Sequence, residues 1–194
     1  IHIDIDPAEI GKNVLVDVPI VGDVKNVLQQ LLPLLEPVKR KEWLEQVAKW
    51  KEEYPLTYRR DENILKPQYV IERIWEATAG TATVVTDVGQ HQMWVAQYYR
   101  FRRPNTLISS GGLGTMGFGL PAAIGAQIAR PQEKVILVVG DGGFQMTIQE
   151  LATMREQELP LKIFLFNNHT LGMVRQLQSV YCDGRYMAVN FKFM

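Results

Sequence analysis

The sequence is poor in cysteine, has no surplus of either charge, and lacks long apolar runs. Cys182 is its only cysteine, which excludes an intramolecular disulfide and a thiolate-built metal site and fits a reducing, cytoplasmic setting. Basic and acidic residues number 21 each, so the formal net charge is zero. A nucleic-acid partner, which requires a basic surplus or stripe, is therefore not expected. No apolar stretch reaches the length that spans a bilayer, so no membrane partner is expected, and no signal peptide is visible. There is no low-complexity tract and no internal repeat. The chain opens on Ile1 rather than Met, so its true N-terminus is expected elsewhere. A length of 194 residues, 46% of them hydrophobic, suffices for one sizeable core and part of a second domain.

What is present is a pair of short, unalternating apolar runs, each ending in polar residues. Residues 135–139 lead into Gly140-Asp141-Gly142-Gly143, and residues 161–166 lead into Asn167-Asn168. Such runs read as strands buried on both faces of a parallel sheet. Ligands of open parallel sheets bind beyond the carboxyl ends of the strands. Asp141 and Asn168 stand there and offer only oxygen donors, which suit a hard cation such as Mg2+ that completes its shell with phosphate and water. Glycines beside Asp141 permit close approach of backbone to a phosphate. Either half alone reads as a turn or a strand terminator; together they point to a diphosphate held through Mg2+.

The rest of the chain supplies the frame. Residues 1–6 alternate like a strand, 7–11 read as a helical turn, and 14–21 as a second extended run. Residues 24–35 have helical spacing closed by Pro33 and Pro37. Residues 39–61 are highly charged, with Trp43, Val47 and Trp50 at helical spacing, and read as an amphipathic linker helix with a docking stripe. From residue 66 strands and helices alternate: a helix from Pro67, a strand at 83–86, a helix at 93–99, a strand at 106–108 and a small-residue helix at 119–129. Thr147 and Glu150 form a capping-box pattern for a helix through Glu156. The fold class expected is α/β, a doubly wound, mostly parallel sheet flanked by helices.

Gly112, Gly114 and Gly117 spell a literal Gly-x-Gly-x-x-Gly between a strand and a helix, with Asp141 ending the next strand. This keeps open a Rossmann NAD site of a dehydrogenase, or a close-packed turn with no ligand. Against NAD, Asp141 is flanked by glycines, and Asn167-Asn168 would have no role. Gln90 and His91 follow a strand end on the same edge and are ligand candidates; His2 and His169 are weaker ones. Met173 and Val174 read as core or as the wall of a pocket.

The Gly140-Asp141-Gly142 and Asn167-Asn168 pair resembles the thiamine-diphosphate (ThDP) motif of ThDP-dependent enzymes. Residues 89–94 (GQHQMW), 110–117 (SGGLGTMG) and 171–176 (LGMVRQ), with residues 1–23, resemble the large catalytic subunit of acetolactate synthase (acetohydroxyacid synthase). The resemblance implies that Asp141, Asn168 and the Thr170 carbonyl bind Mg2+. It implies cofactor contacts from Gln90, His91, Gly114, Gly142, Gly143, Gly172 and Met173, with Met116 as the apolar wedge that bends ThDP. Val174 and Leu177 would line the substrate pocket. Asp4, Ile5, Asp23 and Val24 match the end of the family's FAD domain. The domains implied are a remnant of the FAD-binding middle domain at 1–37, a linker helix at 38–65, and a ThDP-binding domain at 66–194, truncated at Phe193-Met194.

An intact enzyme of this family decarboxylates pyruvate on ThDP and joins the hydroxyethyl unit to a second 2-keto acid, giving 2-acetolactate for branched-chain amino acid biosynthesis. The family works as a homodimer or tetramer, with a small regulatory subunit in some members. The Glu that activates ThDP lies in a domain that no segment here matches, so this chain alone is expected not to catalyse. A stand-alone ThDP-binding module is the alternative. Leu177 departs from the family's usual Trp, leaving the choice between pyruvate and 2-ketobutyrate as acceptor open, since a hydrophobic pocket discriminates one methylene by only about 1–3 kcal/mol.

Overall fold

The structure is a computed structural model and describes residues 1–192; Phe193 and Met194 lie outside the described residues. The chain divides into two compact units, with the boundary between Pro55 and Leu56.

In the first unit, β1 (His2–Asp4) pairs in parallel with β2 (Pro19–Val21). Asp23 then caps α1 (Val24–Leu31), its carboxylate accepting the Asn26 N–H at 3.0 Å. This satisfies one of the donors that a helix start leaves open. Pro33 sits in a 3-10 turn at Leu32–Leu34, and α2 (Lys41–Glu53) follows. Trp43 and Trp50 pack edge to face on α2, ring centroids 5.7 Å apart. Neither α1 nor α2 buries a residue.

In the second unit, α3 (Pro67–Thr78) opens with proline at a first-turn position, where its missing N–H costs nothing. Then come β3 (Thr83–Thr86), α4 (Gln90–Tyr98), β4 (Leu107–Ser109), α5 (Gly119–Ala129), β5 (Val135–Gly140), α6 (Asp141–Met146), α7 (Leu151–Glu156), β6 (Lys162–Phe166) and α8 (Gly172–Tyr181). The four strands from β3 onward form one sheet in the order β4-β3-β5-β6, every pair parallel.

The side chains of β5 explain its unalternating sequence. Val135, Leu137 and Val139 enter one core with Leu120, Ala123 and Ile124 of α5. Ile136 and Val138 enter the other, with Ile71 and Ile74 of α3 and Val95 of α4. Both faces of the strand are thus covered, which is the doubly wound arrangement. Each fully buried Val or Leu contributes roughly 1.5–3 kcal/mol of transfer free energy. No helix among the described residues is long and apolar enough to cross a membrane.

One local expectation fails. Thr147 does not cap a helix with its side chain: a 3-10 turn at Ile148–Glu150 intervenes, and the Thr147 hydroxyl donates to the Gly117 carbonyl at 3.0 Å. The hydroxyl is directed at a carbonyl distant in sequence and accepts no N–H of the helix start.

Candidate cofactor site

Strand order fixes where a ligand can enter. The chain runs from β3 outward to β4, then crosses back to β5 on the other side of β3. The loops beyond β3 and β5 therefore diverge to opposite faces, opening a crevice at this switch point. A cavity of about 200 Å³ lies there.

Three helices begin on its rim. Gln90 and His91 open α4, Asp141, Gly142 and Gly143 open α6, and Gly172, Met173 and Val174 open α8; all eight line the cavity. No side chain caps any of these helix starts. Uncapped N-termini present the positive ends of helix dipoles and, the Gly142 N–H bound by Asp141 apart, N–H donors, so the cavity suits an anion.

Within this anion-favouring rim lies one buried carboxylate. Asp141 is 3% exposed. Its Oδ1 accepts the Gly142 N–H at 2.9 Å, whereas its buried Oδ2 has no hydrogen-bond partner among the described residues. A buried charged oxygen without a partner is costly, so the arrangement fits a cation. Asn168 and Thr170 line the same cavity. The Asn168 side-chain oxygen accepts the Thr170 N–H at 3.1 Å and keeps a second lone pair. The Thr170 hydroxyl donates to the Val189 carbonyl at 2.7 Å, and Thr170 bridges Asn190, which pins this loop. No cluster of three or more His, Cys, Asp or Glu with metal-holding geometry occurs among the described residues. The oxygen donors of Asp141 and Asn168 match a hard cation that retains water and phosphate ligands.

His91 is buried, and burial pushes its pKa below the ordinary value against the opposing pull of Asp87 and Asp141. The imidazole is thus neutral near pH 7, and its Nε2 has no partner among the described residues. Gln90 is held by its side-chain amide, which donates to Gln176 at 2.8 Å. Gly114 and Met116, from the loop between β4 and α5, complete the wall.

Leu177 is 50% exposed and does not line the cavity. Asp4, Ile5, Asp23 and Val24 belong to the first unit, where Asp4 ends β1 and Asp23 and Val24 follow β2 into α1. They share the carboxyl edge of that small parallel sheet. Sequence reasoning missed Trp94, Phe166 and Leu171, which also line the cavity. Trp94 and Phe166 pack with ring centroids 6.0 Å apart. It also gave no role to Asp87, which is fully buried; its position directly after a strand was the one signal available.

The Gly112–Gly114–Gly117 pattern does not sit where a dinucleotide fingerprint works. It follows β4, an edge strand, rather than a strand at the switch point. The family pattern described as "Thiamine pyrophosphate enzyme, C-terminal TPP binding domain" matches residues 87–193, more than half of the chain. This chain belongs to the thiamine pyrophosphate enzymes. The pattern described as "Thiamine pyrophosphate enzyme, central domain" matches residues 1–31. The acetolactate synthase large subunit of Lactococcus lactis subsp. lactis (strain IL1403) is 52% identical over 185 residues, covering 95% of this chain and 32% of that protein. The acetolactate synthase isozyme 3 large subunit of Escherichia coli (strain K12) is 49% identical, covering 96% of this chain and 34% of its own. The large subunit of Cyanidium caldarium is 48% identical, covering 98% and 33%. The chain thus spans about a third of the length of the relatives it matches, and is a thiamine pyrophosphate enzyme segment homologous to acetolactate synthase large subunits.

Proposed function

We propose that this chain forms the diphosphate- and metal-holding half of an acetolactate synthase active site. The observation that carries the reading is the buried Asp141 carboxylate, its Oδ2 without a partner among the described residues, inside a rim of three uncapped helix N-termini. A carboxylate and a diphosphate repel each other unless a cation lies between them, so the two features make sense together. Asp141, the Asn168 side chain and the Thr170 carbonyl would hold Mg2+. The N–H groups at the starts of α4, α6 and α8, with Gln90, neutral His91, Gly142, Gly143 and Gly172, would hold the diphosphate. Met116, Gly114 and Met173 would meet the cofactor, while Val174 would face the substrate. Bound thiamine diphosphate supplies a carbon nucleophile and electron sink for decarboxylating and joining 2-keto acids. The residues here contribute position and electrostatics.

The reaction proposed for the whole enzyme is condensation of pyruvate with a second 2-keto acid to give 2-acetolactate, a cytoplasmic carboligase (transferase) step in branched-chain amino acid biosynthesis. The names of the relatives support it. On the same reading the large subunit assembles as a homodimer or tetramer and can take a small regulatory subunit. FAD would be bound in the intact protein beside Asp4, Ile5, Asp23 and Val24. We assign residues 1–37 to the end of that middle domain, 38–65 to a linker, and 66–194 to the cofactor domain. The test is an assay of the full natural chain with pyruvate, thiamine diphosphate, FAD and Mg2+. Release of carbon dioxide with formation of 2-acetolactate is expected; decarboxylation without a condensed product would contradict the carboligase reading.

A further inference from the structure

Gly117 is gripped from two sides. Its N–H donates to Oδ1 of Asp87 at 3.2 Å, and its carbonyl accepts the Thr147 hydroxyl at 3.0 Å. The Gly119 N–H donates to Oδ2 of Asp87 at 2.7 Å, and the Val88 N–H to Oδ1 at 2.8 Å. Asp87 is fully buried, and among the described residues its carboxylate oxygens accept backbone N–H groups and no side-chain donor. Hydrogen bonds to an ionised acceptor are stronger and more directional than neutral ones.

Both glycines are needed for this arrangement. Gly117 has φ +84°, a conformation L side chains rarely adopt. A Cβ at Gly119 would stand 2.9 Å from the Asp87 backbone nitrogen. Asp87 follows β3, and Thr147 follows α6, which itself follows β5. The loop carrying Gly117 is therefore tied to both strands that flank the switch point. Met116, its immediate neighbour, lines the cavity, with its Cε 3.4 Å from where a Cβ on Gly142 would stand. Neither Asp87 nor Thr147 lines the cavity.

We infer that Asp87 and Thr147 are positioning residues that act through the Gly117 peptide to hold Met116 on the cavity wall, and so set how tightly thiamine diphosphate is bound. The inference rests on the cofactor reading given above. Small displacements of a group that shapes a bound ligand weaken binding steeply, and the Thr147 hydroxyl is a contact that can be removed without altering any residue placed against the ligand.

The experiment is calorimetric titration of the full natural chain with thiamine diphosphate at saturating Mg2+, with thermal melts in parallel. Thr147→Val keeps the shape and loses the hydroxyl; its affinity should fall about three- to tenfold, the range expected for one lost hydrogen bond. Thr147→Ser keeps the hydroxyl and should bind as the unaltered protein does. Asp87→Asn should bind more weakly still, because an amide NH2 would face a backbone N–H. Should Asp87→Asn fail to fold, the Thr147 pair decides alone. Unchanged affinity in Thr147→Val would overturn the inference while leaving the cofactor reading in place. Failure of Ser to restore affinity would also overturn it, by assigning the loss to packing. No binding by the unaltered protein would overturn the cofactor reading and this inference with it.

Discussion

Asp87 and Gly143 meet across the switch point so closely that a Cβ on Gly143 would lie 2.2 Å from Oδ1 of Asp87. The carboxylate comes from the end of β3 and the glycine from the first turn of α6, after β5. Glycine at this point is a condition of bringing the two loops together.

Gly143→Ala should therefore destabilise the protein. Alanine gains up to about 1 kcal/mol of helix propensity over glycine. Overpacking against a buried, hydrogen-bonded carboxylate should cost about 1–3 kcal/mol or more, and the second effect wins. Thermal melts should show a lower Tm; an unchanged or raised Tm would mean that Asp87 yields freely.

Asp141→Asn should stabilise the protein in EDTA while weakening its cofactor binding. It removes the charge from a buried group whose Oδ2 has no partner among the described residues, and leaving a buried polar group unsatisfied costs about 1–3 kcal/mol, more when it is charged. A melt in EDTA should show a Tm above that of the unaltered protein. A lower Tm would indicate that the carboxylate is satisfied within the protein.

Gly172→Ala and Leu177→Ala should separate, although both lie on α8. A Cβ on Gly172 would stand 2.3 Å from the Gln90 side-chain oxygen, so alanine displaces a residue of the rim. Leu177 is half exposed and off the cavity; its truncation should change stability by no more than about 0.5 kcal/mol, as at other surface positions, and should leave thiamine diphosphate affinity unchanged. Titrations of both variants test this, and equal losses would place Leu177 against the cofactor.

Acid sensitivity should be partly traceable to Glu133. Arg103 lies 3.0 Å and Arg130 3.7 Å from its Oε2. The hydrogen bond from Arg103, foremost, holds its carboxyl below the ordinary value of 4.5. A depressed carboxylate pKa contributes stability that is present above the unfolded value and lost as pH falls through the folded one. Glu133→Gln should thus lower Tm slightly near pH 7, the difference narrowing as pH drops below 4.5. The group is only partly buried, so the effect should also shrink in high salt. A difference that does not change with pH would assign the loss to hydrogen bonding alone.

The sequence was most legible where local pattern and tertiary role coincide. Residues 135–139 and 161–166 are apolar without alternation because β5 is covered on both faces and β6 partly so, and that pattern survives in one dimension. Gln90, His91 and Asp141 could be placed on the cavity's edge because each follows a strand end in the sequence pattern, and Gly172 because it opens the helix after Asn168. Asp87 was not, because its Gly117 and Gly119 partners come from a distant loop and nothing local marks them as donors. The same distance explains Thr147: its spacing to Glu150 fits a capping box, but a carbonyl from another loop claims the hydroxyl. Trp94 belongs to a helix whose cavity-facing side is set by α4 packing beside Phe166, a pairing that periodicity does not encode.

The central claim is that the switch-point cavity holds thiamine diphosphate through a divalent cation on Asp141. It is tested most directly by titrating the full natural chain with thiamine diphosphate in Mg2+, then in EDTA, beside Asp141→Ala. The account predicts saturable binding in Mg2+ that is lost both in EDTA and in the variant. Binding of equal affinity under all three conditions would contradict it.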